Sequence, residues 1–311
     1  MTTGDSASVR YRPTVSVPVS APVSTPVCEV GAESHPLSCQ PALGAGIDIP
    51  SEDTMRYRLV SWNVNGFRAV SSKPEWNWFS TTTADVVALQ ETKADPAQVG
   101  EEHRSPDGWH AWWLPATVKK GYSGVAVFSR HTPLDVAYDL PDERFRGEGR
   151  CLHLTFPEFH FFNIYFPNGG MGEERLRYKM GYYEAFLEHA ETLRRDRPIV
   201  VCGDFNTAHR PIDLARPKEN ETVSGFLPEE RAWMDRFVAT GYVDTFRHVR
   251  GDEADRYSWW SYKTRARARN VGWRIDYFFV SEELRGAVRD AWIEMDVMGS
   301  DHCPVGLELE V

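Results

Sequence analysis

From Tyr57 onward the chain is divided into short apolar runs, most of which break off into a polar residue as they end. The runs are "RLVSWNVNG", "DVVALQET", "SGVAVFSR", "FHFFNIYFPN", "PIVVCGDFN", "WRIDYFFVS" and "CPVGLELEV". Runs of this length, rich in β-branched and aromatic residues and bounded by turn residues, read as strands. In the last of them Val305, Leu307, Leu309 and Val311 occupy every second position, the mark of a half-buried strand. The segment "EERLRYKMGYYEAFLEHAETLRRD" instead places Leu176, Met180, Tyr183, Leu187, Ala190 and Leu193 at helical spacing. A second helix is predicted in "LPEERAWMDRFVATG", opened by Pro228 and closed by Gly241. Hairpin-like strand neighbours mixed with helices predict one α/β domain in which two packed sheets are flanked by helices.

That domain does not begin at residue 1. Tyr11 is the only aromatic residue in 1–55, although the whole chain holds 11 Trp, 12 Tyr and 16 Phe. A stretch such as "PTVSVPVSAPVSTPV" buries too little apolar surface to offset the entropy of ordering it. Residues 1–55 are therefore expected to form a disordered Pro/Ser/Val-rich tail and 56–311 the folded domain. Prolines interrupt the valines, so the tail lacks the apolar core of a secretory signal, and no stretch approaches a membrane span. Its serines with Arg10 and Arg12 faintly resemble a transit peptide, against which Asp5 and the prolines count; a start at Met55 is the other alternative. Cys28, Cys39, Cys151, Cys202 and Cys303 are scattered and odd in number, which argues against a zinc site or a disulfide framework. The net charge of −10 disfavours a protein that coats nucleic acid, but leaves room for a local basic groove.

The residues at the strand ends carry the functional signal. They are Asn63 and Asn65, Gln90 and Glu91, Tyr165 and Asn168, Asp204 and Asn206, Asp276, and finally Asp301 and His302. Any one of these is ordinarily a turn or a cap. Their recurrence at strand ends, where α/β proteins bind ligands, points to a single site. Carboxylates and amide oxygens without a cysteine or histidine cluster suit a hard divalent ion, magnesium or manganese, better than zinc. Such an ion polarises a phosphoryl oxygen, an Asp beside a His supplies an oriented imidazole, and Asn and Tyr supply neutral donors. The implied chemistry is metal-assisted attack of water on a phosphoester.

The segment "YSWWSYKTRARARNVGWR" sets Lys263, Arg265, Arg267, Arg269 and Arg274 among Trp259, Trp260, Tyr262 and Trp273. Cations of this kind contact a nucleic-acid backbone while flat side chains stack on bases or fill the gaps they leave. A smaller patch, Lys119, Lys120 and Tyr122, is placed to hold the same backbone. Without the phosphoester site, the Arg/Trp segment reads better as a solvated basic loop beside core tryptophans.

The motifs "SWNVNGFRA", "LQETK", "GYSGVAVFSR", "GDFNTAHRPIDL", "SGFLPEER", "NVGWRIDYF" and "GSDHCPV", in order from Arg58 to Val311, resemble those of the exonuclease III family of abasic-site endonucleases, in the endonuclease/exonuclease/phosphatase superfamily. The resemblance implies a four-layered α/β sandwich with the site at one end of the paired sheets. It implies Glu91 as main metal ligand, with Asn65 and Asp301 close to the metal; some relatives have Asp at the position of Asn65. Asp204 would orient or deprotonate the attacking water and Asn206 would help place it. His302, held by Asp276, would contact the scissile phosphate, and Asn63, Tyr165 and Asn168 would hold phosphate oxygens. Trp259, Trp273 and Ile275 fall where the family builds its apolar pocket for a sugar lacking a base.

The resulting expectation is a magnesium-dependent hydrolase, with manganese as alternative ion, acting on double-stranded DNA that carries abasic sites or damaged 3′ ends. It is expected to be monomeric and without membrane contact, in the cytoplasm with the nucleoid of a bacterium, or in the nucleus or an organelle of a eukaryote. Two rivals are a superfamily phosphatase on a lipid or small phosphoester and a DNA-binding module without catalysis. The first is disfavoured by the Arg/Trp segment, the second by a full water-activating set.

Overall fold

The computed structural model describes residues 54–311. The tail expected over 1–55, with Cys28 and Cys39, lies outside the described residues except for its last two positions. The rest forms twelve strands, of which the seven apolar runs supply β1 (Arg56–Asn63), β2 (Val86–Gln90), β4 (Val125–Ser129), β7 (His160–Tyr165), β8 (Ile199–Asp204), β10 (Asp276–Ser281) and β12 (Val305–Glu310). Five more complete the sheets: β3 (His110–Leu114), β5 (Asp135–Tyr138), β6 (Cys151–Thr155), β9 (Tyr242–Asp244) and β11 (Val288–Ile293). Four of these, β3, β5, β9 and β11, are sheet edges, and they are short or only half-buried, so their apolar pattern is weak.

The strands form two six-stranded sheets, ordered β11-β12-β1-β2-β4-β3 and β5-β6-β7-β8-β10-β9. Each is built around one parallel pair, β1 with β2 and β7 with β8, and is antiparallel elsewhere. Side chains of alternate residues meet between the sheets: Leu59, Val86, Ala88 and Val127 from the first, Leu154, Phe161, Val200, Cys202 and Phe278 from the second. The opposite parity faces outward. Val60, Trp62, Val87 and Leu89 pack under the short helices Phe67–Ser71 and Asn77–Thr81, and Phe162, Ile164, Val201 and Phe205 under the helices Glu173–Leu193 and Pro228–Ala239. The layers are helix, sheet, sheet, helix, which is the four-layered sandwich.

The long helix buries a face slightly different from the one its apolar residues predict. Tyr182, Tyr183, Phe186 and Ala190 are buried, but so is Lys179, whereas Leu176, Met180, Leu187 and Leu193 are only half-buried. A lysine can lie on that face because its ammonium finds partners there: Glu230 at 2.6 Å, the Asn206 carbonyl at 2.7 Å and the Thr207 hydroxyl at 2.8 Å. Among the described residues, no helix is long and apolar enough to cross a membrane.

Candidate active site

The inward parity that builds the inter-sheet core also builds the site. Continued to the strand ends, it makes Asn63, Tyr165, Asp204 and Asp276 face the gap between the sheets. Parallel pairing keeps Tyr165 level with Asp204, and the antiparallel register of β10 sets Asp276 directly opposite Asp204. Ser61 pairs with Val305, so the segment preceding β12 returns Asp301 and His302 to the same end.

Glu91 should by alternation point outward, since Gln90 faces inward and donates to Asn163 at 2.7 Å. Its backbone takes a left-handed φ of 48°, and the carboxylate turns into the gap. Asn65, Lys93 and Asn206 have φ of 45°, 49° and 52°. Such conformations are costly for residues with a Cβ, and here they are held by hydrogen bonds at the strand ends. Asn206 thus joins Asp204 by a turn after β8, not by continued strand alternation; its backbone N–H donates to Asp204 at 2.7 Å.

The side chains form one network. The amide of Asn63 donates to Glu91 and to Asp204, both at 2.9 Å, and its oxygen accepts from the Asn65 N–H at 3.0 Å. Asn63 is fully buried with its donors directed at those two carboxylates, which corrects the expectation that it faces a phosphate. His302 Nδ1 lies 2.8 Å from Asp276, while Nε2 is 3.9 Å from Asp204. Asn168 donates to the Asn206 side-chain oxygen at 2.9 Å. Asp301 accepts from Asn65 at 2.8 Å and from the indole N–H of Trp259 at 3.1 Å. Lys93, which sequence reasoning passed over inside "LQETK", places its ammonium 2.7 Å from Glu91 and against the Asn65 oxygen.

Electrostatics divides these groups by role. Burial pushes Glu91 up, but the Lys93 charge and the Asn63 amide outweigh it and hold the carboxyl below its usual range. Burial opposes a charged His302, yet the facing Asp276 and Asp204 outweigh burial and raise it well above an ordinary imidazole. Asp204 is raised by burial and by the charges of Asp276 and Glu91. Tyr165 is raised by burial, so its phenol is a neutral donor. Ligand atoms of Glu91, Asp204 and His302 lie within 4.8 Å of one another. With His302 protonated, the oxygens of Glu91 and Asp204, with the Asn65 and Asp301 side chains beside them, are the set that fits a divalent metal ion.

These groups line one side of a cavity of about 250 Å3 whose other side is Trp259, Trp273, Ile275 and the segment Val223, Ser224 and Gly225. The indoles of Trp259 and Trp273 meet edge to face at 6.3 Å. Gly225 is required by close approach: a Cβ there would lie 3.2 Å from both the Trp273 ring and the Asn206 carbonyl oxygen, at a φ of 100°.

The basic segments divide. Arg265 and Arg269 are exposed, as are Lys119 and Lys120. Arg267 is not a free cation: it stacks on Trp260 at 4.5 Å and donates to the carbonyls of Met295, Val297 and Ser300, so it braces the loop that leads to Asp301. Arg274 is fully buried between Asp213 and Asp244. The Tyr122 hydroxyl accepts from Arg150 and Arg175, each at 2.8 Å. Beside Lys93 a larger groove of about 660 Å3 is lined by Lys120, Tyr122 and Arg68, the last unremarked in the sequence.

Together the fold and the site define a metal-assisted phosphoester hydrolase. Residues 60–302 match the Endonuclease/Exonuclease/phosphatase family, and the chain belongs to it. It is 47% identical over 255 residues to an exodeoxyribonuclease of Bacillus subtilis, covering 82% of this chain and all of that one. It is 39% identical to the DNA repair nuclease APEX1 of Danio rerio, covering 82% of each. Among solved structures, an AP endonuclease from Leishmania major superposes with a TM-score of 0.74 at 30% identity, over 82% of this chain and 88% of that one. A 3′ phosphatase from Neisseria bound to a product DNA hairpin gives 0.75 at 27% identity, over 82% of this chain and all of that one.

Proposed function

We propose that this chain is a magnesium-dependent DNA repair hydrolase that cuts the phosphodiester backbone 5′ to an abasic site, leaving a 3′ hydroxyl. The observation that carries the reading is the relay of Asp204, His302 and Asp276 facing Glu91, with the apolar wall of Trp259, Trp273 and Ile275 across the same cavity. Glu91 is the main metal ligand, with Asn65 and Asp301 beside it. When bound, magnesium, or manganese in its place, offsets charge on the phosphoryl oxygens. Asp204 takes the proton of the attacking water, which Asn206 helps to place. His302, held protonated by Asp276, and the neutral Tyr165 and Asn168 donate to phosphate oxygens as charge develops.

An abasic nucleotide leaves the stack with no pairing to lose, and a small apolar cavity then selects it by size. The exposed Arg265, Arg269, Lys119 and Lys120 hold the backbone through charge. A 3′–5′ exonuclease or 3′ end-cleaning activity accompanies the endonuclease, a reading supported by the similarity to a 3′ phosphatase bound to a DNA hairpin. The protein acts as a monomer, in whichever compartment holds the genome. The test is the purified protein on a duplex with one stable abasic analogue, with magnesium and then with chelator. Cleavage 5′ to the analogue that needs the metal supports the reading, and equal cleavage of an intact duplex overturns it.

A further inference from the structure

Beneath the site lies an ion pair with no access to solvent. Lys179 and Glu230 are each 0% exposed and 2.6 Å apart. Burial lowers the Lys179 ammonium from its ordinary range despite the carboxylate beside it. A buried pair of this kind is weak evidence for stability, because apolar replacements of similar volume are often neutral or stabilising. The partners it holds are more informative.

Lys179 donates to the backbone oxygen of Asn206 at 2.7 Å and to the hydroxyl of Thr207 at 2.8 Å, which grips the turn that presents Asn206 to Asp204. Glu230 accepts from the N–H groups of Gly225 and Leu227 at 2.5 and 3.0 Å and from the Ser224 hydroxyl at 2.8 Å. That is the segment that packs against Trp273 on the same wall of the cavity. A third loop rests on the same pair, since a Cβ on Gly169 would lie 2.5 Å from Ser224 Oγ and 3.5 Å from Glu230. Gly169 follows Asn168, which itself donates to Asn206. The two charged groups use their hydrogen bonds to tie the loop that carries the water-placing amide to the loop that walls the pocket.

We propose that Lys179 and Glu230 are positioning residues that set the chemical side of the site against its selective side, and so govern both turnover and damage discrimination. The inference rests on the proposed abasic-site activity. A neutral pair, Lys179→Met with Glu230→Gln, keeps an acceptor for Gly225 and Leu227 but loses the grip on Asn206 and Thr207. It is expected to melt no more than about 12 °C below the wild type, because both charges leave together and the main loss is the buried donor to Asn206 and Thr207. Its kcat on an abasic duplex should fall about 10²-fold with KM changed less than about 3-fold, the signature of lost positioning. The ratio of abasic to intact cleavage should narrow as well.

Thr207→Val, which removes only the hydroxyl that Lys179 and Tyr183 share, should move kcat and the ratio in the same direction by about 10-fold, and it decides the matter should the double variant not fold. Wild-type kcat and ratio in a folded double variant overturn the proposal. So does an activity loss in both variants that only follows their loss of melting temperature. A wild type that does not distinguish abasic from intact DNA refutes the functional reading instead, while the kcat comparison on the substrate it does cut still tests the pair.

Discussion

Gly203, the residue before Asp204, has no room for a side chain. It lies in a central parallel pair of the second sheet, in register with Ile164, at a φ of 132°. In Gly203→Ala the new carbon would sit 1.8 Å from the Ile164 carbonyl oxygen, 2.8 Å from its carbon and 3.1 Å from its nitrogen. All three are backbone atoms, so no rotamer change relieves the contact. Reaching ordinary van der Waals separation requires the two strands to part by about 1.5 Å. The backbone conformation costs about 1–3 kcal/mol for a residue with a Cβ. Overpacking in a buried strand pair costs about 1–3 kcal/mol more. The variant should then lose about 2–6 kcal/mol, which in a domain of this size lowers Tm by roughly 4–24 °C. Asp204 moves with the strand, and a displacement on the order of 1 Å should reduce cleavage about 10²-fold at temperatures where the variant is folded. Calorimetry and single-turnover cleavage measure the two effects. A variant that melts within about 2 °C of the wild type and cuts at its rate refutes the close-packing argument.

Glu91→Gln keeps the bond from Asn63 but removes the charge. Activity should collapse at low magnesium and recover in part at high magnesium, and an unchanged metal dependence rules the ligand out. Asp204→Asn should lose about 10²-fold or more in kcat while DNA affinity holds or improves; cutting at near wild-type rate would sink the proton-transfer role. Trp273→Ala should slow abasic cleavage more than intact cleavage, and a constant ratio between them would remove Trp273 from the selective wall. The fourth concerns acid stability. Burial, with the neighbouring His160 and His189, lowers His153 from 6.5 to about 3, so the fold holds it neutral. A depressed folded pKa contributes stability above pH 6.5 that is lost as pH falls, about 2 kcal/mol by pH 5. His153→Phe should flatten the melting profile between pH 8 and 5, and an unchanged slope counts against this origin.

Much of the site was legible because strand parity is. The period of two that marks Val200 and Cys202 as core residues also delivers Asp204 to the gap, and the same holds for Asn63 after Leu59 and for Asp276 before Phe278. Parity misleads where a strand has already ended. Glu91 and Asn206 reach the site only through left-handed turns; asparagine tolerates that conformation, but no local pattern reports it for a glutamate. Charge misleads where a cation has a private partner. Arg267 and Arg274 sit in a basic run yet spend their donors inside the protein, and Lys179 interrupts an apolar helix face for a carboxylate 51 residues away. The Val223–Gly225 segment runs into the "SGFLPEER" motif, but only the fold shows that it meets Trp273.

The placement of β12 has a consequence for the order in which the molecule is made. It lies between β11 and β1, so the strand nearest the start of the domain meets its second neighbour only when residues 305–310 exist. Asp301 and His302 come with it; the bond from Asn65 to Asp301 spans 236 positions and that from Trp62 to the His302 carbonyl 240. While the chain emerges from the ribosome, one edge of β1 stays open and Asp276 has no histidine to hold. A chain stalled before residue 300 carries Glu91 and Asp204 but no imidazole facing them. A half-made copy therefore lacks the imidazole on which the proposed cleavage depends.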